Sequence, residues 1–363
     1  MTSPTRILIT ADATGGVWQY ATDLARTLRP LGYDPVVATL GPAPSAAQRA
    51  ETADLRMIDT GLPLDWLSVG PEPVIAAGDA MARLAADERV DVVHLNQPSL
   101  AARARFSAPV VAVAHGCVGT WWQAANGTAP DPAYAWADAL TRAGLHAADA
   151  VVAPSASYAA TVYRYHGLPD TPIVVHNGRT PVTLIADENA ADHVFTAGRL
   201  WDRVKNTALL DRVAASLPVP FRAAGKIEAP HGERVDAAHL QLTGQLDAAA
   251  MAHELASRPI FVSSATFEPF GLAVLEAAAA GCPLVLSGID TFRELWTGAA
   301  LFVDGDDEAA YVAAIERIRA DSALRGHLSE AARVRSARYG LEPMAHDMAA
   351  LYVRLIGAQA VAA

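Results

Sequence analysis

Residues 260–286 read IFVSSATFEPFGLAVLEAAAAGCPLVL, and this stretch decides the architecture. The run Ile260 to Ser263 predicts a strand. A loop follows, and a helix opens near Gly271 with Pro269 just ahead of it. A second apolar run, Pro283 to Leu286, predicts the next strand. A strand, a helix and another apolar strand make a parallel unit with a crossover helix.

The same alternation extends in both directions. Strands are expected upstream at Val194 to Ala197, Phe221 to Ala224 and Leu240 to Thr243, and downstream at Leu301 to Val303. An earlier set falls at Ile7 to Thr10, Pro35 to Thr39, Leu55 to Ile58, Asp91 to Leu95, Val110 to Ala114, Ala150 to Ala153 and Ile173 to Val175. Most are nearly continuous apolar runs, which suits strands covered by helices on both faces. The expected class is therefore α/β, with two Rossmann-like, doubly wound domains. Asn177-Gly178-Arg179-Thr180-Pro181 and the polar Asp187 to Asp192 read as the connection between them, with the domains at residues 1–179 and 180–339. In residues 340–363, Leu341, Met344, Met348, Leu351, Tyr352 and Leu355 recur at helical spacing and mark one buried face.

Composition narrows the function. The 363 residues carry 28 Lys and Arg against 39 Asp and Glu, a net charge of −11, which argues against nucleic-acid binding. With 52% hydrophobic and 18% charged residues the chain is expected to fold as a soluble protein. Its longest apolar stretch, Leu272 to Leu286, is interrupted by Glu276 and Gly281 and is too short for a bilayer. Met1 to Asp12 lacks the regions of a signal peptide, so a cytoplasmic location is expected. Two cysteines, Cys117 and Cys282, make no disulfide framework, and neither CxxC nor HExxH is present for a metal.

Three places could carry chemistry. The first strand runs into Gly15-Gly16, which opens a helix whose amides and dipole favour an anion; a tight turn is the alternative. GxGxxG is absent there, which disfavours a nicotinamide enzyme. Arg199 and Lys205 follow the first strand of the second domain, where open α/β sheets bind ligands, and they suit a diphosphate; two solvated charges are the alternative. Glu268 ends the loop before the helix, and Glu276 lies about two turns beyond it. A carboxylate near a helix N-terminus accepts well from sugar hydroxyls, and Glu276, set in an apolar stretch, requires a partner. Cys117 reads as a buried thiol rather than a nucleophile, and Asp304-Gly305-Asp306-Asp307 as a turn and helix cap. His146, His166 and His346 have no ligand-spaced partners.

Together, EPFGLAVLEA with Glu268 and Glu276, the following AAGCPLV, Gly198-Arg199-Leu200, Lys205-Asn206 and the Gly15-Gly16 loop resemble the retaining glycosyltransferases of family 4 (glycosyl transferases group 1), over nearly the whole chain. The resemblance implies a GT-B fold, two domains facing a cleft, with the C-terminal helix returning to the first, acceptor-side domain. It implies a nucleoside diphosphate sugar as donor and no cofactor or catalytic metal. Glu268 would hold donor-sugar hydroxyls and Glu276 the ribose. Arg199 and Lys205 would hold the diphosphate, with amides at Gly16, Gly271 and Leu272. Thr243, Gly244 and Gln245 would border the base, although Gly244 also fits a plain turn. His115 matches a histidine beside the donor sugar. The sequence departs from the family after His115, where Gly116-Cys117 stands in place of an acidic residue, and at Arg179-Thr180, where the family reads Val-Asp.

Trp121 and Trp122, expected in a loop, offer flat faces to a carbohydrate, lipid or small-molecule acceptor; packing against the helix around Tyr134 to Leu145 is the alternative. Peripheral membrane contact stays open. A sugar phosphorylase or nucleotide-sugar epimerase on the same fold, and a non-catalytic nucleotide-sugar sensor, remain alternatives to transfer.

Overall fold

Each of the thirteen runs read as strands is a strand, most of them because short apolar β-branched segments can bury both faces only inside a covered sheet. In the computed structural model, which describes residues 4–180, 192–229 and 232–362, they are β1 (Thr5–Asp12), β2 (Tyr33–Leu40), β3 (Arg56–Leu62), β4 (Val92–Leu95), β5 (Val110–Val113), β6 (Ala150–Ala153), β7 (Ile173–Val174), β8 (Val194–Ala197), β9 (Phe221–Ala224), β10 (Gln241–Gly244), β11 (Ile260–Ser263), β12 (Leu284–Ser287) and β13 (Ala300–Val303). Pro181 and most of Asp187 to Asp192, read as the connection, lie outside the described residues.

The strands form two parallel sheets, in the orders β3-β2-β1-β4-β5-β6-β7 and β10-β9-β8-β11-β12-β13. Each belongs to its own compact unit. One comprises the chain up to Gly178 together with Leu341 onwards, and the other runs from Arg179 to Gly340.

Alternation along β1 shows how the first unit is filled. Ile7 and Ile9 pack with Tyr20 and Leu24 of the helix Gly16–Leu28 and with Met344, Met348, Leu351 and Tyr352 of the helix Leu341–Ala362. Leu8 points to the opposite face, among Ala77 and Met81 of the helix Pro71–Asp87. The last helix thus supplies one wall of the first unit's core, along the face its periodicity marks. In the second unit Phe195 and Phe261 pack with Leu275 and Trp296, while Val194 and Val262 pack with Leu209, Tyr311 and Ile315 on the other side. Burying side chains of this size stabilises by about 1.5–3 kcal/mol each.

In both sheets the strand order reverses at one point, between β1 and β4 and between β8 and β11. Loops leaving the carboxyl ends on either side of such a point diverge and open a crevice for ligands.

Candidate active site

In the second unit the loops after β8 and β11 are tied together by the chain's own polar groups. The Ser264 hydroxyl donates to the carbonyls of Lys205 and Asn206 at 3.2 Å each, and the Thr266 N–H donates to the Val204 carbonyl at 2.8 Å. This tether brings the Lys205 ammonium onto the Glu268 carboxylate as a partly buried ion pair. Gly271 is needed beside it: its φ is +95°, and a Cβ there would lie 3.3 Å from Glu268 Cγ and 3.1 Å from the Phe292 ring. The helix Leu272–Ala279 then starts with no side-chain cap, so its first amides face the same region as the pair.

One turn further, Glu276 has the partner its apolar surroundings demand. Arg179 places Nε and one terminal nitrogen each 2.7 Å from Glu276 Oε1, and its backbone N–H donates to the Tyr339 carbonyl at 3.2 Å. Sequence reading treated Arg179 as part of the connection between the domains and as a departure from the family pattern, not as a site residue. Arg199 turns instead to Asp202 at 3.0 Å, with its guanidinium 5.6 Å from the Trp201 ring centre. Lys205 and Arg199 are therefore each engaged with a carboxylate. Thr243, Gly244 and Gln245 lie on and just after the exposed edge strand β10.

The first unit's strand ends are built differently. Gly15 precedes the helix Gly16–Leu28 at φ +132°, a conformation that favours glycine, and no atom lies within 4 Å of where a Cβ would stand. β4 lies beside β1 and runs out into Asn96, while β5 beside it leads to His115. The Asn96 backbone N–H donates to Thr10 Oγ1 at 2.7 Å, and its side-chain Nδ2 to the Thr10 carbonyl at 2.5 Å. Asn96 Oδ1 meets His115 Nε2 at 2.8 Å and His94 Nε2 at 3.1 Å, and His94 Nδ1 meets the Tyr352 hydroxyl at 2.6 Å. Tyr20 packs edge-on against His115, with ring centres 4.4 Å apart. Burial holds His94 down at about 4 and His115, further lowered by His94, at about 3. Both rings are neutral at ordinary pH. Asn96, His94 and Tyr352 were missed in the sequence; the signal available was that His94 and Asn96, two residues apart, share one side of an extended segment.

Trp121 and Trp122 are not in a loop. They belong to the helix Val118–Asn126, which Cys117 starts by accepting from the Thr120 N–H through its sulfur, and which Gly127 ends. A thiol is an unusual cap, so the start signal was not legible. Trp122 packs on Tyr134, with ring centres 5.7 Å apart, and donates from its indole to Thr128 Oγ1 at 3.3 Å. Cys117 Sγ lies 3.4 Å from Nε2 of the buried His166. Burial raises the thiol's pKa and lowers the imidazole's to about 4, so the pair stays neutral and forms no thiolate nucleophile. Asp307 caps the helix Glu308–Ala320 by accepting from the Ala310 N–H. Among the described residues there is no group of three or more His, Cys, Asp or Glu that could hold a metal ion, and no helix long and apolar enough to cross a membrane.

The model of Glycosyltransferase Family 4 matches residues 14–181, and that of Glycosyl transferases group 1 matches residues 233–335. Both models describe glycosyltransferases, and together they match most of the chain. Its fold is that of the GT-B enzymes. Sucrose-phosphate synthase from Thermosynechococcus elongatus is similar with a TM-score of 0.79 at 20% identity, over 98% of this glycosyltransferase and 100% of that chain. Anabaena HepE, solved in complex with UDP-glucose, is similar with a TM-score of 0.74 at 16% identity, over 96% and 100%. The phosphatidyl-myo-inositol mannosyltransferase of Mycolicibacterium smegmatis is 31% identical over 125 residues, which are 34% of this chain and 32% of that protein.

Proposed function

We propose that this glycosyltransferase is a retaining hexosyltransferase that moves a sugar from a nucleoside diphosphate sugar to an acceptor hydroxyl, without a catalytic metal and in the cytoplasm. The observation that carries the reading is the Lys205–Glu268 ion pair beside the uncapped start of the helix Leu272–Ala279. A nucleotide sugar carries what each member of that pair lacks: phosphate oxygens for the ammonium and hydroxyls for the carboxylate. Donor binding would exchange the internal pair for two ligand contacts and leave neither charge unsatisfied.

In this scheme Lys205, Arg199 and the amides at Gly16, Gly271 and Leu272 stabilise the departing diphosphate, a role for preorganised donors that needs no metal ion. Glu276, held by Arg179, takes the ribose hydroxyls, and Thr243, Gly244 and Gln245 border the base. Glu268 and His115 are the groups that touch the donor sugar. The acceptor attacks on the leaving-group side, and the departing phosphate oxygen takes its proton, so no side-chain base is required. Trp121 and Trp122 serve the acceptor. The UDP-glucose bound by HepE supports a sugar-nucleotide donor, and the mannosyltransferase name of the mycobacterial relative supports transfer of a hexose.

A thermal-shift panel of nucleotides and nucleotide sugars tests the donor, since a ligand that binds only the folded chain raises its melting temperature. With the donor found, the anomeric form of the first product by NMR reads the stereochemistry, and turnover in excess EDTA reads the metal. An inverted product, or activity abolished by EDTA and restored by a divalent cation, overturns those parts. No stabilisation by any nucleotide overturns the whole.

A further inference from the structure

The chain Tyr352–His94–Asn96–His115 has only one hydrogen-bonding sense. Asn96 Nδ2 can only donate, and it lies 2.5 Å from the Thr10 carbonyl, which can only accept. The amide is thereby oriented with Oδ1 towards the two imidazoles, and an amide oxygen only accepts. Both rings must therefore offer N–H at Nε2, across 2.8 Å from His115 and 3.1 Å from His94. Each ring is neutral, so each carries its lone pair at Nδ1. On His94 that lone pair accepts the Tyr352 hydroxyl at 2.6 Å. On His115 it is the polar atom left for a ligand.

We propose that Asn96 is a positioning residue that locks His115 as the Nε2–H tautomer, so that the ring presents a bare Nδ1 and recognises a substrate hydroxyl as an acceptor only. The inference rests on reading His115 as a donor-sugar residue. Its consequence is selective: a sugar position carrying a hydroxyl is held, while one carrying only an acceptor, such as an ether or a carbonyl oxygen, meets lone pair against lone pair. His94 and Tyr352 close the far end of the chain, so the lock is anchored in the C-terminal helix. The groups around the His115 ring are Tyr20 from the helix Gly16–Leu28 and Asn96 and His94 from the end of β4, and none of these contacts is a carboxylate.

The test is a long-range proton–nitrogen NMR spectrum of the full chain with 15N-labelled histidine, assigned with His115→Gln and His94→Gln. The expected result is His115 in the Nε2–H form by at least roughly tenfold over the alternative, the equivalent of one buried hydrogen bond, with no titration between pH 5.5 and 8. An Nδ1–H ring, a comparable mixture or an imidazolium in that range overturns the proposal. Asn96→Ala is expected to relax His115 to a mixture of tautomers with the melt retained. Asn96→Ser serves where alanine is not tolerated, and an unchanged tautomer in the folded variant denies Asn96 its role. Adding UDP-glucose or GDP-mannose separates the two layers. A moving Nδ1 resonance supports the sugar contact, whereas a locked tautomer that responds to no nucleotide sugar overturns the placement of His115 at the sugar and leaves the lock standing.

Discussion

The two units share a plan and differ in chemistry. Both are parallel sheets whose order reverses once, and in both a glycine-opened helix and a polar loop leave the strands at that reversal. In the second unit the polar groups are ionic: Lys205 with Glu268, Arg179 with Glu276, Arg199 with Asp202. In the first they are neutral: Asn96, His94, His115 and Tyr352, with both imidazoles held uncharged by burial. Charged pairs that are only partly buried can be exchanged for a charged ligand, because ligand and solvent make up the lost interaction. A buried neutral network cannot exchange so freely, and it serves instead to hold one atom in one protonation state.

The comparison is easiest to break at Glu268. Glu268→Gln keeps the shape and removes the charge, and it is expected to lower turnover on the donor by the order of a hundredfold while sparing the affinity for free nucleoside diphosphate. Steady-state rates beside calorimetry check it, and unchanged turnover would sink the assignment. Lys205→Ala is expected to weaken the nucleoside diphosphate about ten- to a hundredfold, from the loss of roughly 1.5 to 3 kcal/mol of charge-assisted bonding. If that variant binds like the wild type, the ionic half of the contrast has no function.

The neutral half predicts a pH dependence. His94 stays unprotonated down to about 4 in the folded chain, whereas an unfolded histidine takes a proton below about 6.5. Between those values the unfolded state binds more protons, so stability is full above pH 6.5 and falls as the pH drops towards 4. Each such histidine contributes about 1.4 kcal/mol per pH unit. Melting curves of wild type and His94→Gln between pH 7 and 5 should show a shallower acid loss in the variant; parallel curves would mean that His94 is protonated in the fold. The smallest effect is expected at Trp122, whose stacking on Tyr134 contributes about 1 kcal/mol. Trp122→Ala should melt only slightly earlier, and a raised acceptor Michaelis constant in Trp121→Ala, with an unchanged melt, would mark Trp121 as the acceptor platform.

Which segments become strands and helices was legible because it depends on local pattern. Apolar runs in the thirteen strands, the face of the last helix and the Pro269 to Gly271 start each carry their signal within a few residues. The place of Glu276 on its helix was legible for the same reason, since a helix converts sequence distance directly into space, whereas Glu268 lies in the loop before that helix. What failed locally failed for want of a standard signal, as in the thiol that caps the helix bearing Trp121 and Trp122.

Partnerships were decided by the tertiary structure. The sequence called for a counter-charge to Glu276 but did not say that it would be Arg179, ninety-seven residues away, nor that Lys205 would meet Glu268 across sixty-three. Those meetings follow from the order of strands in the sheets, which sets which loop ends are neighbours and which no run of residues encodes by itself. The same holds for Asn96. Its place between His94, His115 and Thr10 requires β4 to lie between β1 and β5, and Tyr352 reaches His94 only because the last helix packs on the first unit. Local periodicity determined the pieces of this protein, and sheet order decided the protonation and charge of its site, because a hydrogen bond depends on distance in space and not along the chain.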